Sequence, residues 1–374
     1  MSESLGRAAR TGRVGVGIIG AGVISTQYLT NLTKFADLEV LFVADLDVER
    51  ARAKADEFGV PGSGTVAELL AVDAIEIVIN LTIPAVHVAV GEQIIAAGKH
   101  QWSEKPLALD RESGRRLLDS AAAAGLRVSC APDTILGAGL QTAQRTLLEG
   151  RIGTPLNGLV LLQSPGPESW HPSPEFLFDV GAGPLFDIGP YYLTALVQLL
   201  GPIARVSATS STARTTRVIG SGPKAGTEFP VNVPTHHGAL IEFVGGAAAQ
   251  TTFSFESVRK RTLIEVAGTT GTLEVPNPNT FDDSGHLWLP GADEAVEVPP
   301  VGSTYGRGSG ALELARAIRA GVPERASGEL AYHVLDAMIS IAESALWHKP
   351  VELESSAAAP APLPDGWDPA APTL

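Results

Sequence analysis

The chain has 374 residues, 44% hydrophobic and 18% charged, an ordinary globular balance that excludes wholesale disorder and is long enough for two domains. The formal net charge of −14 argues against nucleic acid as a partner, since a polyanion needs a basic face and no Lys/Arg cluster stands out. Small molecules are the expected ligands, and the single cysteine, Cys130, excludes an intrachain disulfide and fits a reducing cytoplasm.

Residues 1–12 read as a disordered lead-in. The run "RAARTGRVGVGIIGAGVIS" sets three arginines before apolar residues, as a secretory signal does, but its glycines suit a strand and turn better. From Val14 to about Cys130, the runs "RVGVGII", "EVLFVAD", "AIEIVINLT", "HQWSE" and "RVSCA" read as strands. Helical patterns lie between them, around "VISTQYLTNLTKFA", "DVERARAKADEFG", "PAVHVAVGEQIIAAG" and "DRESGRRLLDSAAAAG". This alternation predicts βαβ units and a parallel sheet. Three of the helices end at Gly59, Gly98 and Gly125, the residue that best tolerates a left-handed cap. The apolar stretch Ala74 to Gly98 is broken by Glu76, Asn80, His87 and Glu92, so it does not read as a membrane span.

Within the first unit, "VGIIGAGVIS" puts Gly20, Gly22 and Ser25 at the positions of a G-x-G-x-x-G fingerprint, with serine for the third glycine. The fingerprint follows an apolar strand and opens a helix, and Asp45 ends the next strand. Glycines allow backbone to approach a pyrophosphate, a helix N-terminus favours its charge, and a strand-end acid can hold ribose hydroxyls. Residues 13–132 are therefore expected to form an NAD-binding Rossmann domain, with Gly20, Ala21, Gly22, Val23, Ile24, Asp45 and Leu46 along the cofactor. Because Leu46 rather than Arg or Lys follows Asp45, NAD is favoured over NADP, unless an arginine reaches in from elsewhere.

After "GRIGTP" the character changes. Runs such as "LNGLVLLQ", "GALIEFVGG" and "TLIEVAGTTGTLEV" predict an open, mostly antiparallel sheet over a second α/β domain, residues 133–352. A helix from about Pro184 to Leu200 interrupts it, and two more are expected near "GALELARAIRAG" and "ELAYHVLDAMISIAESALW". Residues 353–374 form an Ala/Pro-rich tail, expected to be extended or disordered.

The motifs "NLTIPAVH" (80–87), "AAGKHQWSEKPLALD" (96–110) and "GAGPLFDIGPYYLT" (181–194), together with the fingerprint, resemble the Gfo/Idh/MocA family of sugar and cyclitol oxidoreductases from Val14 to about Ala345. The tripeptide Glu104-Lys105-Pro106 is the most specific mark. The resemblance implies a nicotinamide cofactor lined by Leu81, Thr82, Ile83, Pro84, His87, Glu104 and Lys105, and a homodimer or homotetramer formed through the second sheet. It also directs Lys105 toward the reacting carbon. An ammonium there favours an alkoxide as hydride leaves and lowers the pKa of a neighbouring acid.

The family's helix pattern D-x-G-x-H-x-x-D appears here as Asp187, Gly189 and Tyr191, with Thr194 for the last acid. Tyrosine at the histidine position resembles the glucose–fructose oxidoreductase and dihydrodiol dehydrogenase branch. Tyr191 is then a proton acceptor whose pKa a nearby Lys105 would lower, and Asp187 would orient the substrate. Tyr192, on the stripe of Ile188, Ala195 and Leu199, is expected in the core. Further substrate candidates are Asp133, in a segment lacking the family's arginine, and Trp170 with His171 in "PESWHPSPEF". His236 and His237 should face opposite sides of a strand, and Arg307 in "YGRGSG" has no assigned target. No metal-ligand spacing is present. The expected activity is hydride transfer between NAD and a secondary alcohol or ketone of a sugar, glycoside or cyclitol. Transient oxidation with retained NAD and a catalytically silent dinucleotide-binding regulator are the competing readings.

Overall fold

The structure, a computed structural model, describes residues 11–374. The expected lead-in lies, up to residue 10, outside the described residues. β1 (Val14–Ile19) is buried along its whole length, as a central parallel strand with both faces covered must be. With β2 (Leu38–Ala44), β3 (Gly62–Gly64), β4 (Ile75–Asn80), β5 (His100–Ser103) and β6 (Val128–Cys130) it forms a parallel sheet ordered β3-β2-β1-β4-β5-β6. The chain order reverses between β1 and β4, which opens a ligand crevice at the carboxyl ends of those strands.

The connecting helices are α1 (Val23–Leu32), α2 (Val48–Phe58), α3 (Val66–Leu70), α4 (His87–Ala96) and α5 (Arg111–Ala123). The side chains of Asp47 and Asp110 cap α2 and α5, and a Thr65–Glu68 capping box starts α3. Gly59, Gly98 and Gly125 have φ of 67°, 71° and 66°, the left-handed exits anticipated from the sequence.

Helix α6 (Ala138–Leu148) leads into the second unit. Its sheet contains β7 (Pro155–Gln163), β8 (Ile203–Ser211), β11 (His236–Phe243), β12 (Ala248–Ser254), β13 (Arg261–Gly268), β14 (Thr272–Glu274), β15 (Gly285–Trp288), β16 (Val296–Val298) and β17 (Val351–Glu352), while β9 (Thr216–Val218) and β10 (Glu228–Pro230) make a separate ribbon. The sheet order is β16-β15-β14-β13-β7-β12-β11-β8-β17, antiparallel except for β7 beside β12. Helices α7 (Gly183–Leu200) and α9 (Gly328–Trp347) pack together over the strands. Tyr192 is buried at this layer with its ring edge-on to Phe253, 5.9 Å between centroids. His237 points into the protein while His236 is half-buried.

Helix α8 (Ser309–Ala320) follows the second sheet in the chain but packs against β4, β5, β6 and α1 of the first. A Cβ at Gly310 would fall 1.9 Å from the indole of Trp102, so the helix docks there only with glycine. The tail is extended and fastened to its own chain. Arg145, Arg325 and Arg316 donate to carbonyls of Leu363, Ala361 and Asp368, and Thr373 and Leu374 reach Asp37, beside β2.

Candidate active site

The crevice is built by two turns that almost touch. Gly20 holds φ +105°, and a Cβ there would lie 2.7 Å from the carbonyl oxygen of Leu81, so glycine alone permits this approach. Gly22 caps α1 without a side-chain hydrogen bond, and nothing stands within 4 Å of where its Cβ would be. The helix thus presents free N–H groups to open space. Ser25, in the third fingerprint position, is buried and donates to the Gly22 carbonyl at 2.6 Å.

Val23, Leu46 and Ile83 are 90%, 98% and 66% exposed, three large apolar side chains on turns at the sheet's carboxyl edge. Such surface suits flat heterocycles, and Ile24 is half-buried beside it. Asp45 accepts hydrogen bonds from Ala21 N (2.7 Å) and Asp47 N (2.9 Å), and from the guanidinium of Arg50. Burial alone would raise its pKa, but these donors, Arg50 first, hold the carboxyl below its usual range. The glycine cradle, open helix end and strand-end acid fit a nicotinamide dinucleotide.

Lys105 meets Asp187 across the boundary between the two units. Its Nζ lies 2.8 Å from Asp187 Oδ1, also donates to the Asp187 carbonyl, and sits 5.3 Å from the centroid of the Tyr191 ring. Burial would lower the lysine pKa, but Asp187, Tyr191 and Glu104 outweigh it and raise it above the ordinary value. The lysine is therefore a fixed cation. Glu104 accepts the Tyr28 hydroxyl at 2.7 Å, and Tyr28 accepts from the Trp102 indole, so the turn before Lys105 is tied to the core. Lys105 and Asp187 border a cavity of about 290 Å³ walled by Ile83, Pro84, Phe176 and Val180.

Several expected contacts are placed differently. Tyr191 is buried, and its hydroxyl oxygen accepts from Arg307 Nη2 at 3.1 Å. Burial raises its pKa; Lys105 pulls it down as expected, and Arg307 with it, but burial outweighs both and the net shift is upward. Asp133 is fully buried and holds Arg307 at 3.2 Å and the backbone N–H of Gly308 at 2.8 Å, so it anchors a loop instead of touching substrate. His87 is buried too, with Nδ1 against the Pro106 carbonyl (2.7 Å) and Nε2 against that of Thr82 (2.9 Å). It ties two crevice turns together and has no ring nitrogen left to line a cofactor. Leu81 is buried and offers the crevice its backbone, whereas Thr82 is half-buried, its hydroxyl on Asn80.

Trp170 and His171 stack edge-on at 5.5 Å, outside the residues that wall the cavity. The same loop delivers Phe176, Leu177, Asp179 and Val180 instead. Beneath it, the buried Arg217 pairs with Glu168 and with Glu256 (2.7 Å). The sequence signal for this wall was the apolar run "EFLFDV" just before a glycine turn. Arg307, unassigned from sequence, is buried outside the cavity wall and bridges Asp133, Tyr191 and Asn279. Among the described residues no group of three His, Cys, Asp or Glu side chains is placed to hold a metal, and no helix is long and apolar enough to cross a membrane.

A dinucleotide-type sheet joined to an open sheet, with a lysine–carboxylate pair where they meet, defines an oxidoreductase. The family model described as an oxidoreductase family with NAD-binding Rossmann fold matches residues 14–131, and the GFO/IDH/MocA C-terminal domain matches 140–274. The chain belongs to the Gfo/Idh/MocA family. It is 27% identical over 290 residues to 1,5-anhydro-D-fructose reductase of Ensifer adhaerens, covering 76% of this chain and 82% of that one. D-apiose dehydrogenase of Paraburkholderia graminis is 25% identical, covering 69% and 66%. In fold it is similar to levoglucosan dehydrogenase in complex with NADH and L-sorbose, with TM-score 0.78, 21% identity and 92% and 100% coverage.

Proposed function

We propose that this protein is an NAD-dependent dehydrogenase that moves hydride between the nicotinamide and a secondary alcohol or ketone of a sugar, glycoside or cyclitol. The observation that carries the reading is the Lys105–Asp187 pair at 2.8 Å on the wall of a cavity shared with Ile83 and Pro84 of the crevice. Gly20, Ala21, Gly22, Val23 and Asp45 would hold the dinucleotide, and Thr82 to Pro84 would flank its reactive ring. When bound, that ring accepts or returns the hydride.

Lys105 donates a hydrogen bond to the alcohol oxygen and favours its alkoxide character as the C–H bond breaks. Asp187, paired with Lys105 and facing the cavity, is the base placed to receive the hydroxyl proton. Tyr191 supports the lysine through its ring, while its hydroxyl is committed to Arg307. Phe176 and Val180, both exposed, add apolar surface to the cavity wall that a bound substrate would cover. Among the described residues that wall the cavity the cation is Lys105, and Asp187 neutralises it, so a neutral polyol fits better than an acidic substrate.

The names of the related reductase and dehydrogenases support the same substrate class. The outer face of the second sheet, where Leu240 and Trp288 are each 43% exposed, is the surface on which a second copy would pair. The test is a screen of the purified protein with NAD against sugars, glycosides and inositols, read by NADH fluorescence. Net NADH formation with a polyol is expected. Turnover without net NADH would replace this reading by transient oxidation, and failure to bind any dinucleotide would remove it.

A further inference from the structure

The Asp45 carboxylate is fully occupied within its own chain. A carboxylate offers about four acceptor positions. Oδ2 takes Ala21 N at 2.7 Å and Arg50 Nε at 3.3 Å, while Oδ1 takes Asp47 N at 2.9 Å and Arg50 Nη2 at 2.5 Å. The two backbone donors belong to the turns that shape the crevice. The two guanidinium donors come from a side chain that is 52% exposed and free to swing on its stem. They fill the positions that a ribose diol would need.

We propose that Arg50 sets the balance between the two nicotinamide dinucleotides, competing with the adenosine ribose for Asp45 and offering its planar fork to a 2′-phosphate. The inference rests on the dinucleotide reading of the crevice. Binding of NAD requires the guanidinium to give up Asp45, which costs the ion pair. Binding of NADP lets the guanidinium stay beside Asp45, where it screens that carboxylate from the phosphate and pairs with the phosphate itself. Leu46, the residue next to the acid, supplies no such charge. The protein therefore accepts both dinucleotides, and a side chain outside the strand-end position arbitrates between them.

The decisive measurement is the dissociation constant of NADH and of NADPH, each titrated by fluorescence and by calorimetry with no substrate present. Arg50→Ala is a safe variant, since alanine is a better helix former and the Asp47 cap bonds to the backbone N–H of residue 50. It should tighten NADH about two- to fivefold, the worth of a half-exposed ion pair, and weaken NADPH about tenfold or more. Asp45→Asn, which keeps the guanidinium but removes the carboxylate charge, should shift the two affinities the opposite way for NADH and further favour NADPH. If the wild type binds NADH and Arg50→Ala leaves the NADH/NADPH ratio unchanged, the role of Arg50 is overturned while the dinucleotide reading stands. If the wild type binds neither, both fall together.

Discussion

Lys105 illustrates how a single charge is tuned by its surroundings. Burial alone would push it toward neutrality, yet Asp187, Tyr191 and Glu104 hold the proton on it more firmly than water does. In the proposed reaction a lysine held in its charged form serves as an electrostatic partner of the alcohol oxygen and not as a base. Replacing it with alanine should lower kcat by about a hundred- to ten-thousandfold while the NADH dissociation constant changes about threefold at most. Steady-state rates and NADH fluorescence on the same preparation check this, and undiminished turnover would take the lysine out of the chemistry. Arg307 answers to a different constraint, because it and Asp133 are an ion pair buried among Tyr191 and Phe281. Arg307→Met leaves a carboxylate without its cation and should cost about 3–5 kcal/mol. Adding Asp133→Asn should restore part of that loss, and denaturant unfolding of the two single variants and the double variant measures the coupling. Lys105, Asp187 and Tyr191 were recognisable in the sequence because each sits in a short motif. Arg307 was not, since its carboxylate partner is 174 residues away.

At the scale of elements, the long periodic segments declared themselves and the short ones did not. The five anticipated strands of the first sheet and the helices between them are present. β3 went unseen because "GSG" carries no alternating side chains, although pairing with β2 alone makes it a strand. The five-residue α3 had a visible Thr65–Glu68 capping box but too little length to show a period. Helix α6 was not anticipated either. Helix α8 was anticipated, but not the sheet it would cover. Its seat depends on Gly310 lying flat on Trp102. Gly310→Ala should displace α8 and cost about 3 kcal/mol or more through overpacking, seen as a fall in the thermal midpoint. A variant as stable as the wild type would show that the helix has slack there.

At the scale of the molecule, the second half of the chain returns to complete the first. α8 covers the dinucleotide sheet, and Arg316 on that helix pairs with Asp37 at 2.8 Å and bonds carbonyls of the tail. The tail thus connects α6, α8 and the loop before β2. Ending the chain after Glu354 removes hydrogen bonds made by Arg145, Arg316 and Arg325 and takes away the buried side chains of Ala357 and Leu363. The thermal midpoint should fall on the order of 5–10 °C, given about 0.5–1.5 kcal/mol per net hydrogen bond. A truncated protein that melts with the wild type would mean the strap carries no load.

What the sequence by itself determined was whatever depends on near neighbours: the glycine turn and its helix, the strand-end acid, the Glu-Lys-Pro turn, the Asp/Tyr helix and the change from parallel to antiparallel patterning. Only the tertiary structure decided which charge faces which. It placed Arg50 on Asp45 and Arg307 on Asp133 and Tyr191, and left Trp170 and His171 outside the cavity wall, with His171 against Phe176. It also turned the net shift of Tyr191 upward. The physical reason is that desolvation is summed over every atom packed around a group, and those atoms come from segments far apart along the chain.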